Sequence, residues 1–391
     1  MRDAFEFAPY VVSGISRRGD VLCARVALER GADRCPTCGS DRVSGFGARD
    51  KVVRDLPVLG SPVELVVSAR RFKCMECSAR QGRVVTFAQG LPGIDSKRAM
   101  TTRLVAWLGE QASVRTFARL ASDVGCAEGT VRSIFADYVA GIDARASQCD
   151  VRCMGLVTVH MARPRCVVFD ADGGRVLDVL RTDAADALEG YLRRMAHGDD
   201  LSMVLMGFDR AYRDAVVSAR PSARAVVDKS CVLGAADAVV DATYRRVKDR
   251  LDAAQRRALA RRRAVLDKRE LDLTPRERGV MEDVGAQFPE LARVCKAKNA
   301  LFDVYEGEGA SADAWDRFRE WRRLLPGDVA EVFAPWIERV FGDWRNEVVG
   351  YFDGLAPSSY ATSCARIEAD ARGFERGYSF DALRVRMLQG R

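Results

Sequence analysis

Four of the twelve cysteines in this 391-residue chain fall in two pairs, Cys35-x-x-Cys38 in RCPTCGS (34–40) and Cys74-x-x-Cys77 in FKCMECS (72–78). Two thiolates three residues apart on a tight turn grip one side of a tetrahedral ion. A second such pair completes the coordination sphere and leaves no position open for a substrate. The chemistry is therefore structural: one Zn²⁺ held by Cys35, Cys38, Cys74 and Cys77. The intervening KVVRDLPVLGSPVELVVSARRFKC (51–74) reads as strand, turn at Gly60 and Pro62, then strand into the second knuckle. A hairpin with a knuckle at each end is a zinc ribbon; the alternative is two unrelated Cys-x-x-Cys pairs, one of them redox-active. Arg70, Arg71 and Lys73 flank the second knuckle and suit phosphate contact, or else form a solvated basic edge. The other eight cysteines are scattered, and one such as Cys166 in an apolar strand is most simply a small core hydrophobe.

After the ribbon the apolar period becomes helical. TTRLVAWLGEQA (101–112) places Leu104, Val105 and Leu108 on one face. In the next segment Val114, Phe117, Ala118 and Ala121 form a face, DVGCAEG makes a turn, and Val131, Ile134 and Phe135 form the following face. A glycine turn between two short amphipathic helices matches a helix-turn-helix, whose second helix enters the major groove by its N-terminal end. Glu128, Thr130, Arg132 and Ser133 would then face bases and phosphates of double-stranded DNA. A plain helical hairpin is the competing reading.

Phosphoryl chemistry on DNA needs a different set of side chains, carboxylates placed side by side to hold two Mg²⁺ ions. GLVTVHMARPRCVVFDADGGRVLDVL (155–180) predicts a meander of three strands. Helix 185–196, strand 201–208, helix 209–219 and strand 223–230 follow. That succession is the order of a ribonuclease-H-like fold, in which acids end the first and fourth strands and a third comes from a late helix. Here the first strand carries valine and threonine and ends at His160, one of two histidines in the chain. His160 either pairs with Asp170 or caps the strand end.

These segments resemble the zinc-ribbon DDE transposases of the bacterial insertion-sequence family ISL3. The likeness runs through CPTCGS, RDLPVLGSPVELVV, RRFKCMEC, ARPRCVVFDADGGRVLDVL, MGFDRAYRDAV, AVVDKSCVL, VVGYFDG and RGYSFDALRVRML. It implies a zinc ribbon, a helix-turn-helix and a ribonuclease-H-like core interrupted by a helical insertion. It also implies where the catalytic acids should stand, and the departures fall there. Val157 and Thr158 replace the acids of Gly-x-Asp-Glu, Gly207 replaces the aspartate of the fourth strand, and Thr362 and Ser363 stand where the late helix should start Thr-Glu. Of the family's Asp-x-Phe-His, Asp228 remains while Ser230 and Cys231 replace the aromatic and the histidine. The positions of the lost acids are thus Val157, Gly207 and Ser363, and the neighbours that could substitute are Asp170, Asp209 and Glu368.

The fold class expected is α+β and multidomain. It comprises a zinc ribbon with N-terminal strands (1–90), a helix-turn-helix region (91–150), a first part of a ribonuclease-H-like α/β core (151–243), a large helical insertion (244–349) and the rest of the core (350–391). The insertion opens with YRRVKDRLDAAQRRALARRRAVLDKRE, which has eleven basic and four acidic residues and an apolar stripe of Val247, Leu251 and Leu259. Such a helix either tracks a DNA backbone or presents a solvated face. The aromatics between 315 and 344 have the spacing of a core or a partner surface. The net charge is only +7, 48% of residues are hydrophobic, and no apolar run approaches the roughly 20 residues that span a bilayer. MRDAFEFAPYVVSG has no basic stretch followed by an apolar segment. The expected location is the cytoplasm, in association with the nucleoid, with no membrane partner. Together these features predict a sequence-specific DNA-binding protein of transposase ancestry without strand transfer, acting as a homodimeric regulator or repressor with structural Zn²⁺ and no Mg²⁺. The alternatives are an active DDE transposase using displaced carboxylates, or a subunit that only assembles with an active relative.

Overall fold

A computed structural model of the chain describes residues 9–146, 151–161, 163–195, 200–354, 357, 359–372 and 379–390. It divides into two compact units, Met1–Ala144 with Asp381–Arg386, and Arg145–Phe380 with Met387–Arg391. No helix among the described residues is long and apolar enough to cross a membrane.

The first unit is built on a sheet whose strands are β1 (Tyr10–Arg18), β2 (Val21–Leu28), β3 (Val43–Val58) and β4 (Ser61–Cys74), in the order β1-β2-β4-β3. A short helix α1 (Met75–Gln81) follows β4, and β5 (Thr86–Ala88) pairs antiparallel with β4. Alternation along the strands buries Ala24, Val26, Val53, Val63, Leu65 and Val67 on one face, with Tyr10 and Leu28 at its margin. The β3–β4 hairpin closes with Val58 opposite Ser61, around Leu59 at φ 51° and Gly60 at φ 77°. Two consecutive positive φ angles match the twist of an antiparallel pair, but the first is held here by a leucine that is 92% exposed.

Three helices follow the sheet in this unit: α2 (Thr102–Gln111), α3 (Phe117–Val124) and α4 (Glu128–Ala146). Thr101 and Thr116 cap α2 and α3, each hydroxyl accepting a backbone N–H of the first turn. Leu104 and Leu108 of α2 and Val131, Ile134 and Phe135 of α4 are buried as their spacing requires, while Val105 is half-buried. The face of α3 differs from expectation. Leu120, Ala121 and Val124 are buried beside a half-buried Phe117, whereas Val114 and Ala118 face outward. Val114 lies before the Thr116 cap and is not in the helix, so its apolar character had no helical phase.

The second unit contains the sheet β10-β9-β6-β7-β8, formed by β6 (Cys153–His160), β7 (Pro164–Asp170), β8 (Val176–Val179), β9 (Met203–Met206) and β10 (Arg224–Val227). The first three strands form an antiparallel meander, and β9 and β10 add parallel to β6 through crossover helices. This is the ribonuclease-H-like strand order. The helices α5 (Ala185–Arg194) and α6 (Arg210–Ala219) pack their Leu188, Leu192, Tyr212 and Val216 on Met154, Leu156 and Val204. Lys229 and Ser230, expected in the last strand, instead open α7 (Lys229–Asp249), which runs unbroken through the expected boundary at 243/244.

The insertion is helical throughout its regular elements: α8 (Ala253–Leu266), α9 (Pro275–Gln287), α10 (Pro289–Glu306), α11 (Ser311–Arg323), α12 (Gly327–Glu338) and α13 (Arg345–Val349). Its aromatics are core. Phe318, Trp321, Phe333, Trp336 and Trp344 are buried, and the indole N–H groups of Trp321 and Trp336 donate to Ala297 O at 2.8 Å and Val232 O at 3.1 Å. The second of these bonds ties α12 to α7. The chain ends with α14 (Tyr360–Arg372) and α15 (Phe380–Gln389).

Candidate functional site

Both knuckles converge. Cys35 and Cys38 lie in the loop after β2, and Cys74 ends β4 where its side chain caps α1, the helix that carries Cys77. The four sulfurs lie within 4.8 Å of one another, with Cys35–Cys77 at 3.9 Å and Cys38–Cys74 at 3.6 Å. Tetrahedral thiolates at the Zn–S bond length are about 3.8 Å apart, so this donor set fits Zn²⁺. Backbone N–H groups of Thr37 and Cys77 donate to Cys35 Sγ and Cys74 Sγ, both at 3.4 Å, and help to fix the sulfurs in place. Zinc here would fasten the far end of β4 to the loop that leaves β2.

The basic flank of the second knuckle does not form one surface. Along β4, Arg71 and Lys73 share one side and Arg70 takes the other, because side chains alternate along a strand. Arg70 donates to Leu28 O at 3.0 Å, and Arg71 donates to Thr86 Oγ1 at 2.8 Å.

The helix-turn-helix is seated on the sheet by contacts that carry no local sequence signature. Asp55 of β3, 2% exposed, accepts from Thr101 Oγ1 at 2.7 Å and from Arg103 Nε at 2.8 Å. The carboxylate holds the Arg103 guanidinium above its ordinary pKa through these hydrogen bonds. Arg54 Nε donates to Gly125 O, in the turn between α3 and α4, at 2.9 Å. On α4, Glu128, Arg132 and Ser133 are exposed and Thr130 is half-buried. Glu128 and Arg132 pair with each other at 2.7 Å, and Arg132 lies over the Phe117 ring at 5.1 Å. Ser133 Oγ accepts from Arg98 at 3.3 Å, a residue that sequence reasoning passed over and that Asp137 holds at 2.5 Å. The RAM run before α2 offered no pattern to distinguish it.

In the second unit, a cleft of about 440 Å³ opens where the strand ends meet α14. The parallel register pairs Cys153 with Met203 and Gly155 with Leu205, so its continuation sets Val157 beside Gly207, and both line the cleft. Gly155 is required: a Cβ there would come within 2.2 Å of the Phe169 ring. Of the late helix, Ala361, Cys364, Ala365 and Glu368 face the cleft, as a helical stripe should. Ser363 does not. It is buried, and a Cβ on Gly174 would lie 3.0 Å from its Oγ, which places it against the β7–β8 turn. The cleft-facing position is Cys364, one residue on.

The substitute acids separate. Asp209 and Glu368 line the cleft, but Asp209 caps α6, accepting from Tyr212 N at 3.0 Å. Asp170 lies outside it and accepts from Asp172 N at 3.0 Å and Gly173 N at 3.2 Å in its own turn. It pairs with Met154 at one end of the β6–β7 ladder while His160 pairs with Pro164 at the other, so His160 and Asp170 do not meet. Asp228, 3% exposed, caps α7 by accepting from Ser230 N at 2.8 Å and Ser230 Oγ at 2.5 Å. Burial raises its carboxyl pKa. The remaining polar groups are neutral. Tyr212 OH lies 3.3 Å from Thr158 Oγ1, and Tyr360 OH donates to Leu156 O at 2.7 Å. Burial pushes the Cys231 and Cys364 thiols up to about 11 and about 12, which leaves them protonated and unreactive at neutral pH. Among the described residues, the four zinc-knuckle cysteines are the one group of three or more metal-type donors brought together.

Comparison with family models agrees with this division. A model for the zinc-finger of transposase IS204/IS1001/IS1096/IS1165 matches residues 32–77, and one for the helix-turn-helix domain of transposase family ISL3 matches 90–139. A third, described as transposase, matches 156–387. No curated protein sequence matches the chain. With its ribbon, its helix-turn-helix and more than half its length in the core model, the chain belongs to the ISL3 family of DDE transposases.

Proposed function

We propose that this chain is a sequence-specific DNA-binding protein of transposase ancestry that has lost strand transfer and works as a regulator or repressor. The observation that carries the reading is that Val157 of β6 and Gly207, the residue that follows β9 on the neighbouring strand, both line the cleft. A two-metal site needs anionic oxygens there, and neither residue offers one. The other donors facing the cleft suit Mg²⁺ poorly: two carboxylates, one already capping a helix, with protonated thiols and tyrosines.

DNA recognition falls to the first unit. Zinc on Cys35, Cys38, Cys74 and Cys77 keeps the ribbon folded, and Glu128, Thr130, Arg132 and Ser133 at the start of α4 meet base edges and phosphates. Arg132 must leave Glu128 to reach a guanine edge, whereas Arg71 and Lys73 can only contact the backbone. The protein acts as a homodimer on an inverted repeat, in the cytoplasm and associated with the nucleoid.

The test is to map the bound sites in the source genome and incubate those duplexes with the protein and Mg²⁺ or Mn²⁺. Binding without nicking or joining is expected, and metal-dependent cleavage at specific ends would overturn the reading. The presence of Asp209 and Glu368 in one cleft favours the second reading, an active transposase with displaced acids. In that case D209N abolishes joining.

A further inference from the structure

Helix α8, AAQRRALARRRAVL, contains five arginines and no acid. It is anchored by buried Leu259 and Leu266 and started by a capping box between Asp252 and Gln255. Three of its arginines are engaged. Arg263 pairs with Asp241 and, at 2.8 Å, with Asp267, and lies over the Tyr244 ring at 5.1 Å. Arg262 reaches Gln287 at 3.4 Å and Asp283 at 3.9 Å. Arg256 donates to two carbonyls at the end of α7, Lys248 O at 3.1 Å and Asp249 O at 3.2 Å. These contacts account for three of the five arginines of α8 as ordinary helix packing.

Arg257 and Arg261 have no such explanation. Both are exposed, and among the described residues neither has a hydrogen bond or an ion pair. Four residues apart, they share one face about 6 Å apart along the axis, a spacing at which like charges repel. On α11, by contrast, Arg319 pairs with Asp316, and Arg323 pairs with Glu320 at 2.6 Å. An arginine pair left without counter-charge on an acid-free helix suits a polyanion with regularly spaced charge, and guanidinium groups bind phosphate in a bidentate manner.

We propose that Arg257 and Arg261 form a second DNA contact, gripping the phosphate backbone of a duplex without reading its bases. It rests on the DNA-binding reading above and adds a sequence-independent hold in the second unit to the recognition made by the first. An acidic protein surface is the other possible occupant, and the duplex is favoured because the chain belongs to a family that carries two DNA-binding modules.

The test uses the zinc-loaded full chain and a random-sequence duplex, with the dissociation constant measured against salt concentration. Losing two phosphate contacts in R257Q/R261Q reduces the log–log slope by about 1.8 and weakens binding by roughly 60-fold at 0.1 M salt. R319Q/R323Q, which removes the same charge from ion-paired positions, leaves the slope unchanged. An unchanged slope in R257Q/R261Q, as an acidic protein partner would give, overturns the proposal and leaves the helix-turn-helix reading intact. An equal fall in R319Q/R323Q overturns it as a mere effect of net charge. If the wild-type chain binds no duplex at all, both readings fall together.

Discussion

Asp55 offers the sharpest test of how the ribbon sheet holds the helix-turn-helix. It is 2% exposed and accepts three hydrogen bonds, one from Thr101 Oγ1 at 2.7 Å and two from the Arg103 guanidinium, the Nε bond at 2.8 Å. D55A removes all three hydrogen bonds at once. Breaking a fully buried ion pair costs about 3–5 kcal/mol, but Arg103 is one-third exposed and regains some hydration, which lowers that part to about 2–3 kcal/mol. The stranded Thr101 hydroxyl adds about 1 kcal/mol. The expected loss for D55A is therefore about 3–4 kcal/mol, and D55N, which keeps one acceptor, loses about half as much. In a double-mutant cycle with R103A the coupling should be about 2 kcal/mol. Hydrogen exchange of the α2 amides reads this locally, since Arg103 and the Thr101 cap both belong to that helix. A D55A loss below about 1 kcal/mol, or additive single variants, would refute the reasoning.

Chelating zinc, or replacing Cys38 by serine, should unfold the ribbon and make its thiols reactive. Thiol titration that gives equal reactivity with and without chelator would show that these cysteines hold no metal. L59N should stabilise the β3–β4 hairpin by about 0.5–1 kcal/mol, because asparagine tolerates the left-handed angle that Leu59 adopts; a lower urea midpoint would contradict this. For Asp228, burial raises the folded-state pKa, so the native state binds the proton more tightly than the unfolded chain. Its contribution to stability falls as pH climbs from about 4 through the raised value, then stays level. D228N keeps the α7 cap without the charge, so its stability relative to wild type should rise over that window, whereas D228A loses about 1–2 kcal/mol with the cap. An opposite pH trend in denaturation would count against the assignment.

The zinc ribbon was legible in the sequence because its ligands sit in local knuckles at the ends of one hairpin. The strand succession of the core was legible as well, since apolar runs and turns alternate in a fixed order. Helix phase was less so. Val114 fits an apolar face only if the Thr116 cap is ignored, and Ser363 fits the cleft only if α14 is turned by one residue. That rotation is set by Tyr360 on Leu156 and by Ser363 against Gly174, partners more than 180 residues away. The Asp55–Arg103 link joins residues 48 apart through side chains alone, and no spacing rule reaches it. Asp170 had the right chemistry for a metal site, but only the ladder register shows that it stands at the wrong end of its strand.

Two glycines near the cleft, Gly155 within β6 and Gly207 just after β9, differ in what holds them in place. An aromatic ring enforces the first. At the second, φ lies outside the left-handed region and a Cβ would meet nothing nearer than Cys231 Sγ at 3.8 Å, an ordinary contact. Position 207 thus accepts a β-carbon without moving its neighbours. At this position chemistry and scaffold are separable, whereas at Gly155 any change of side chain must first displace an aromatic ring.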